Sequence, residues 1–367
     1  MTANSQRRGF TLIELIISTT IFAVMMTALF GLFAETQKVW SSTRAQLGQF
    51  QEAQKAFQLM TRRISEATLN PYWDYEYPGG DKTKTPVRYV RTSELHFVAG
   101  DASDLTGQGA GATLVNGLRP THAIFFQGPF GFHNHGKPSA TTERWQDFNV
   151  LLNSWGYFIE LNEDTDRPPH APIGGSIAPR QRFRLMELRA PAEVTSIYDV
   201  PSIRSDPNAW FRDKIDGASV GGKRMARPIA ENIVALIISP QTTDDPNDSG
   251  DEPTAIAPSY TYNTRGYLTA TNDTTAKARH QLPPLVRLTM IAVDEPSALR
   301  IDSLIAAGNM PAGLSTFLTS SNTFFSQAAN YEDDLERLEQ ALIDSNIGYR
   351  VFTSTVRLRN ARWSATD

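Results

Sequence analysis

The sequence predicts an α+β protein in which a long hydrophobic N-terminal α-helix packs on a β-rich globular head. Three observations carry that reading. From Phe10 to Phe33 the chain has one charged residue, Glu14. From Glu35 to Leu69 it has no proline and places apolar residues at helical spacing. After Pro71 it breaks into short apolar runs separated by turn-rich loops, where most of its 24 glycines and 22 prolines fall. The expected organisation is residues 1–9 as a polar leader, 10–33 as a membrane-spanning helix, 34–70 as its amphipathic continuation and 71–367 as the head.

The apolar run has 24 residues, which at about 1.5 Å each gives roughly 36 Å, enough to cross a bilayer. A cleaved secretory signal has a shorter apolar core, followed by a small-residue cleavage site, and neither feature is present. Flanking charge does not orient the span, because Arg7 and Arg8 precede it and Lys38 and Arg44 follow it. Glu14 is the anomaly. A charged side chain at the centre of a membrane helix costs about 2.5–3.5 kcal/mol on insertion scales.

Beyond the span, Phe50, Ala53, Phe57, Met60, Ile64 and Ala67 recur at spacings of three and four. That makes one apolar stripe on a helix face. The stripe either joins a coiled coil or packs on the chain's own sheet, and its shortness favours the sheet. Gly31 and Gly48 mark weak points in the helix, and Asn70-Pro71 is its expected end, since proline disfavours helix in the residue before it. In the head, strands are expected at 87–91, 94–99, 122–127, 155–161, 182–189, 232–239, 285–293 and 349–359. RFRLMELR and VRLTMIAV alternate as half-buried strands do, whereas IVALIIS is continuously apolar and central. Helices are expected at 297–307 and 332–344. Residues 100–117, 240–258 and 269–281 read as long polar loops.

The chemistry of the head is sparse. Thirty-five basic against 39 acidic residues give a net charge of −4, unlike the basic surface that binds nucleic acid. The absence of cysteine excludes disulfides and thiolate metal sites. Gly217 to Arg224, GASVGGKR, approaches a phosphate-binding loop, but Arg224 stands where a Mg²⁺-binding hydroxyl belongs. The Gly-rich GQGAGAT near Gly107 follows no strand. His133 and His135 are too few for a metal without a third ligand. Asp245, Asn247 and Ser249 fit alternate positions of a calcium loop, but Ile256 occupies the place of its bidentate glutamate. No hydrolase, zinc-protease or kinase set is present. Neither an enzyme activity nor a cofactor is expected.

Arg7-Arg8-Gly9-Phe10-Thr11-Leu12-Ile13-Glu14 resembles the cleavage and methylation signal of type IV prepilins and pseudopilins. The shared features are a short basic leader, glycine before the scissile bond, phenylalanine after it and glutamate at mature position five. The resemblance implies that a prepilin peptidase cuts between Gly9 and Phe10 and methylates the new amine of Phe10. It also implies a single-pass protein of the cytoplasmic (inner) membrane, with the leader in the cytoplasm and the head outside. Glu14 would then meet a Phe10 amine, its own or a neighbouring subunit's, and set the register of adjacent helices in a filament. The head, of almost 300 residues, is larger than that of a typical major pilin and looks like a minor component, most nearly the J-type minor pseudopilin of type II secretion. MTRRISEATLNPYWDY, SELHFVAG, LLNSWGYFIE, RFRLMELRAP and VFTSTVRLRNARWS look like the Verru_Chthon cassette protein C family. The implied partners are prepilin peptidase and other pilin or pseudopilin subunits.

Overall fold

The computed structural model describes residues 11–108, 117–133, 150–163, 180–199, 206–216, 224–243, 254–265, 278–319 and 324–363. The chain falls into two units, residues 1–51 and 52–367. Helix α1, Leu12–Ser65, contributes to both. It runs unbroken through Gly31 and Gly48. Each glycine costs about 1 kcal/mol against alanine in a helix interior, which neighbouring helix formers offset.

The second unit begins inside the helix, so the head includes part of it. Ala53, Phe57, Met60, Ile64 and Ala67 are buried, and Ala56 joins them. Met60 and Ile64 are fully enclosed, each worth roughly 1.5–3 kcal/mol relative to exposure. The Phe57 ring lies 6.0 Å from that of Phe352, and the Arg63 guanidinium covers Phe130 and Trp155 at 5.0 and 5.2 Å. The stripe therefore packs on the chain's own strands.

The helix stops at Ser65, short of the expected Asn70. Its last carbonyls are taken over by the head. Arg359 N–H donates to Ser65 O at 3.0 Å and Asn360 Nδ2 to Ala67 O at 3.1 Å. Thr68 N–H donates to Gln127 O at 2.9 Å, turning the chain into a bridge with a strand.

An antiparallel pair follows, β1 (Tyr72–Glu76) and β2 (Arg88–Thr92). The main sheet has six antiparallel strands. They are β3 (Val98–Asp101), β4 (His122–Pro129), β5 (Leu152–Glu163), β6 (Gln181–Ala190), β7 (Ala226–Glu231) and β10 (Tyr262–Asn263), in the order β10-β3-β4-β5-β6-β7. The second sheet is β12-β11-β8-β9, from β8 (Ile233–Thr242), β9 (Thr254–Ala255), β11 (Leu285–Val293) and β12 (Tyr349–Arg357). Strand β8 packs on β4, β5 and β6, and hydrogen bonds cross between the sheets, including Ile238 N–H to His122 Nδ1 at 3.1 Å.

Helices α2 (Ala102–Thr106) and α3 (Ala209–Ile215) cover the main sheet, where Phe211 stacks on Phe125 at 3.9 Å. Gly156 sits across the ladder from Phe125. A Cβ there would fall 2.2 Å from the Phe125 ring, so only glycine fits. Helices α4 (Glu295–Ala307), α5 (Ala312–Thr319) and α6 (Tyr331–Asp344) lie between β11 and β12.

Several expectations change. Residues 94–97 are not strand, because side chains satisfy their backbone. Asn70 Oδ1 accepts from Glu94 and Leu95 N–H, Gln127 Oε1 from His96 N–H, and Thr264 Oγ1 from Phe97 N–H. The run expected at 232–239 is strand β8 from Ile233 onward, and Asn232, with φ +61°, separates it from β7, a strand at 226–231 outside the expected set. The loop 100–117 contains helix α2.

RFRLMELR is buried on both faces rather than half-buried, because its charged residues are paired. Arg182 bonds Glu295 and the Asn232 amide, Arg184 meets Glu231 at 3.4 Å, and Glu187 accepts from Trp155 and Tyr157. VRLTMIAV is likewise mostly buried, between the neighbouring strands β8 and β12. IVALIIS is buried throughout, as its composition implies.

Candidate functional site

The N-terminal start of α1 is built by Thr11 and Glu14. Thr11 N–H and Oγ1–H both donate to Glu14 Oε2, at 3.0 and 2.9 Å, and Glu14 N–H donates back to Thr11 Oγ1 at 3.4 Å. This reciprocal pattern is a capping box, in which residues N-cap and N3 satisfy each other's orphan backbone donors. The sequence carries its signature, Thr11-x-x-Glu14, which hydropathy alone does not reveal. Glu14 is thus engaged within its own helix.

From Leu12 to Gln37 the helix has a mean hydropathy of 2.2 and no buried residue in its most apolar window. Its polar side chains are satisfied internally. Ser18 Oγ donates to Glu14 O at 2.7 Å, Thr20 Oγ1 to Ile16 O at 2.7 Å, and Thr27 Oγ1 to Ala23 O at 2.8 Å. Hydroxyls closed on backbone carbonyls leave a surface with little polar demand, which suits lipid or apolar neighbours.

Gly9 and Phe10, the expected cleavage pair, lie outside the described residues. So do His135, residues 217–223 of the glycine-rich loop, and Asp245, Asn247 and Ser249 of the acidic run. His133 is described and partly buried. Arg224 is an internal ion-pair member, bonded to Glu160 and donating to Ile215 O at 3.0 Å. Among the described residues no cluster of three or more His, Asp or Glu side chains could hold a metal.

Three histidines of the head are buried at positions that sequence reasoning passed over. His96 Nδ1 accepts from the Trp210 indole at 3.0 Å, and its Nε2–H faces Asn263 Oδ1 at 2.8 Å. His122 accepts from Ile238 N–H on Nδ1 and donates from Nε2 to Phe325 O at 3.1 Å. Each of these two rings is therefore held as one neutral tautomer. Burial is the first cause in pushing them down, His96 to about 3 and His122 to about 4. His280 falls to about 4 through burial and then the charges of Arg279, Arg265 and Arg91.

Residues 4–30 match the family model described as the prokaryotic N-terminal methylation motif. The chain carries a type IV prepilin-like N-terminus. That match covers the basic leader, Gly9, Phe10, the Thr11–Glu14 box and most of the apolar run. It implies processing by a prepilin peptidase and pilin-type assembly, and with the apolar helix it indicates membrane anchoring. No curated protein and no solved structure matches the chain.

Proposed function

We propose that this protein is a minor pilin- or pseudopilin-like structural subunit of a type II secretion or type IV filament system. Prepilin peptidase cleaves it between Gly9 and Phe10 and methylates Phe10. The mature helix then inserts among those of other subunits, with Glu14 neutralised by a Phe10 amine, while the head faces the periplasm or the cell exterior. The J-type minor pseudopilin and the Verru_Chthon cassette protein C family are the nearest descriptions. The head in this reading is a structural and recognition element with no catalytic role.

The observation that carries the reading is the methylation motif placed at the start of an apolar helix that its own fold leaves uncovered. A surface of that kind finds cover in lipid before assembly and in neighbouring helices after it. The test is Glu14→Ala in the native host. Incorporation into the filament should fall while membrane insertion stays intact, and unchanged incorporation would refute the proposal. An anchored adhesin or ligand-binding module exported by the same route is the second reading, supported by the cavity described next.

A further inference from the structure

Beside the β1–β2 pair the head has a half-open cavity of about 220 Å³. Two guanidinium groups, Arg91 and Arg362, line it, and among the described residues no carboxylate does. Trp73 contributes aromatic surface, while its strand neighbour Tyr72 carries its ring on the opposite face, and Asn360 and His280 complete the polar wall. Trp73 pairs with Arg91 across the ladder, and the guanidinium lies 5.6 Å from the indole centroid. Nη1 of Arg91 is buried with no hydrogen-bond partner among the described residues, although a buried donor normally has one. Asn360 commits its Nδ2 to Ala67 O at 3.1 Å, which presents its Oδ1 as an acceptor.

At His280 the local field is positive, whereas the Tyr72 hydroxyl feels the carboxylates of Glu94 and Asp74. Arg91, Arg265 and Arg279 all oppose protonation of His280, and the nearby Glu76 is engaged by Arg88 at 2.6 Å and Arg279 at 3.8 Å. Positive charge in a concave, partly desolvated wall favours an anion. Inorganic anions make no use of the Trp73 surface, and simple aliphatic acids such as acetate make no use of an amide oxygen acceptor. A sugar acid uses all three, through its carboxylate, its C–H face and its hydroxyl donors.

We propose that this cavity binds one uronic-acid unit of an acidic polysaccharide, with Arg91 and Arg362 on the carboxylate and Trp73 against the sugar ring. The site lies within residues 52–367 and is independent of the N-terminal assembly reading, so either can fail alone.

The test is calorimetric titration of the full chain in detergent micelles at pH 7 with trigalacturonate, followed in parallel by tryptophan fluorescence. Maltotriose serves as the neutral sugar and acetate as the plain carboxylate. Saturable binding of trigalacturonate alone is expected. Arg362→Gln, at an exposed position, should weaken it by about tenfold, as for loss of one charge-assisted pair. Trp73→Phe should remove most of the fluorescence change. Absence of saturation with trigalacturonate, equal binding of maltotriose or acetate, or full affinity in Arg362→Gln would each overturn the proposal.

Discussion

Replacing Met60 by alanine tests whether the end of α1 is part of the head's core or merely leads to it. Met60 is fully enclosed, between the equally buried Phe57 and Ile64. Truncation of a buried Met, Leu or Ile to alanine costs about 2–5 kcal/mol, the larger values coming where neighbours do not collapse into the space. The site here is held by Arg63 over Phe130 and Trp155, by the Phe57–Phe352 contact, by the Arg359 backbone N–H and by the Asn360 side-chain amide. Those restraints limit relaxation, so about 3 kcal/mol is the expected loss. For a unit spanning residues 52–367, with about 2.1 cal/mol/K of unfolding entropy per residue, that lowers the melting temperature by roughly 4–5 °C. The assay is thermal unfolding of the full chain in detergent, read by near-ultraviolet circular dichroism, with Gln58→Ala on the exposed face of the same helix as control. Equal, small shifts in both variants would refute the assignment of residues 53–64 to the core.

Further outcomes follow from the polar interior. Glu160 is buried and bonds both Arg119, at 2.9 Å, and Arg224. Glu160→Ala should therefore cost about 1–3 kcal/mol, because the enclosed Arg119 loses one carboxylate and keeps Asp216. Arg224→Ala, whose side chain is 35% exposed, should cost under about 1 kcal/mol; equally small losses for both variants in denaturant melts would show that the network is unimportant. The buried histidines give a pH signature. Their folded pKa values lie below the unfolded value near 6.5, so the unfolded state binds more protons in that window. Their contribution is complete above pH 6.5 and is lost as pH falls toward 4. His122→Asn should flatten this slope between pH 6.5 and 4, and an unchanged slope would contradict the lowered pKa of the buried His122. At the N-terminus, Thr11→Val removes the hydroxyl of the capping box, worth about 1 kcal/mol. Amide exchange at residue 14 should accelerate about fivefold, while Thr11→Ser should exchange like the parent; no change in Thr11→Val would mean the box does not hold.

The most legible parts of the sequence were those whose signal is local. Strand β11 ends where its alternating run ends, at Leu285 and Val293. The apolar stripe identified the buried face of α1 from Ala53 onward. Failures arose where tertiary partners replaced local bonding. The capture of residues 65–68 shortened the helix, and side-chain acceptors displaced strand pairing at 94–97. RFRLMELR looked amphipathic because its arginines and glutamate were taken as solvent-facing, and no spacing rule announces partners as remote as Glu295. The Thr11–Glu14 box was readable from four residues. The cavity was not, because it gathers residues 72–73, 91, 280 and 360–362 from distant segments.

The central claim is that the first nine residues are a removable leader and Phe10 the modified start of a membrane helix. Intact-mass and N-terminal peptide mass spectrometry of the protein isolated from its host membrane measures this directly. The account predicts a chain beginning at Phe10, one methyl group heavier than its unmodified mass, with the methyl on the Phe10 amine. A chain that retains Gly9 and the residues before it, or one that begins at an unmethylated Phe10, would contradict it.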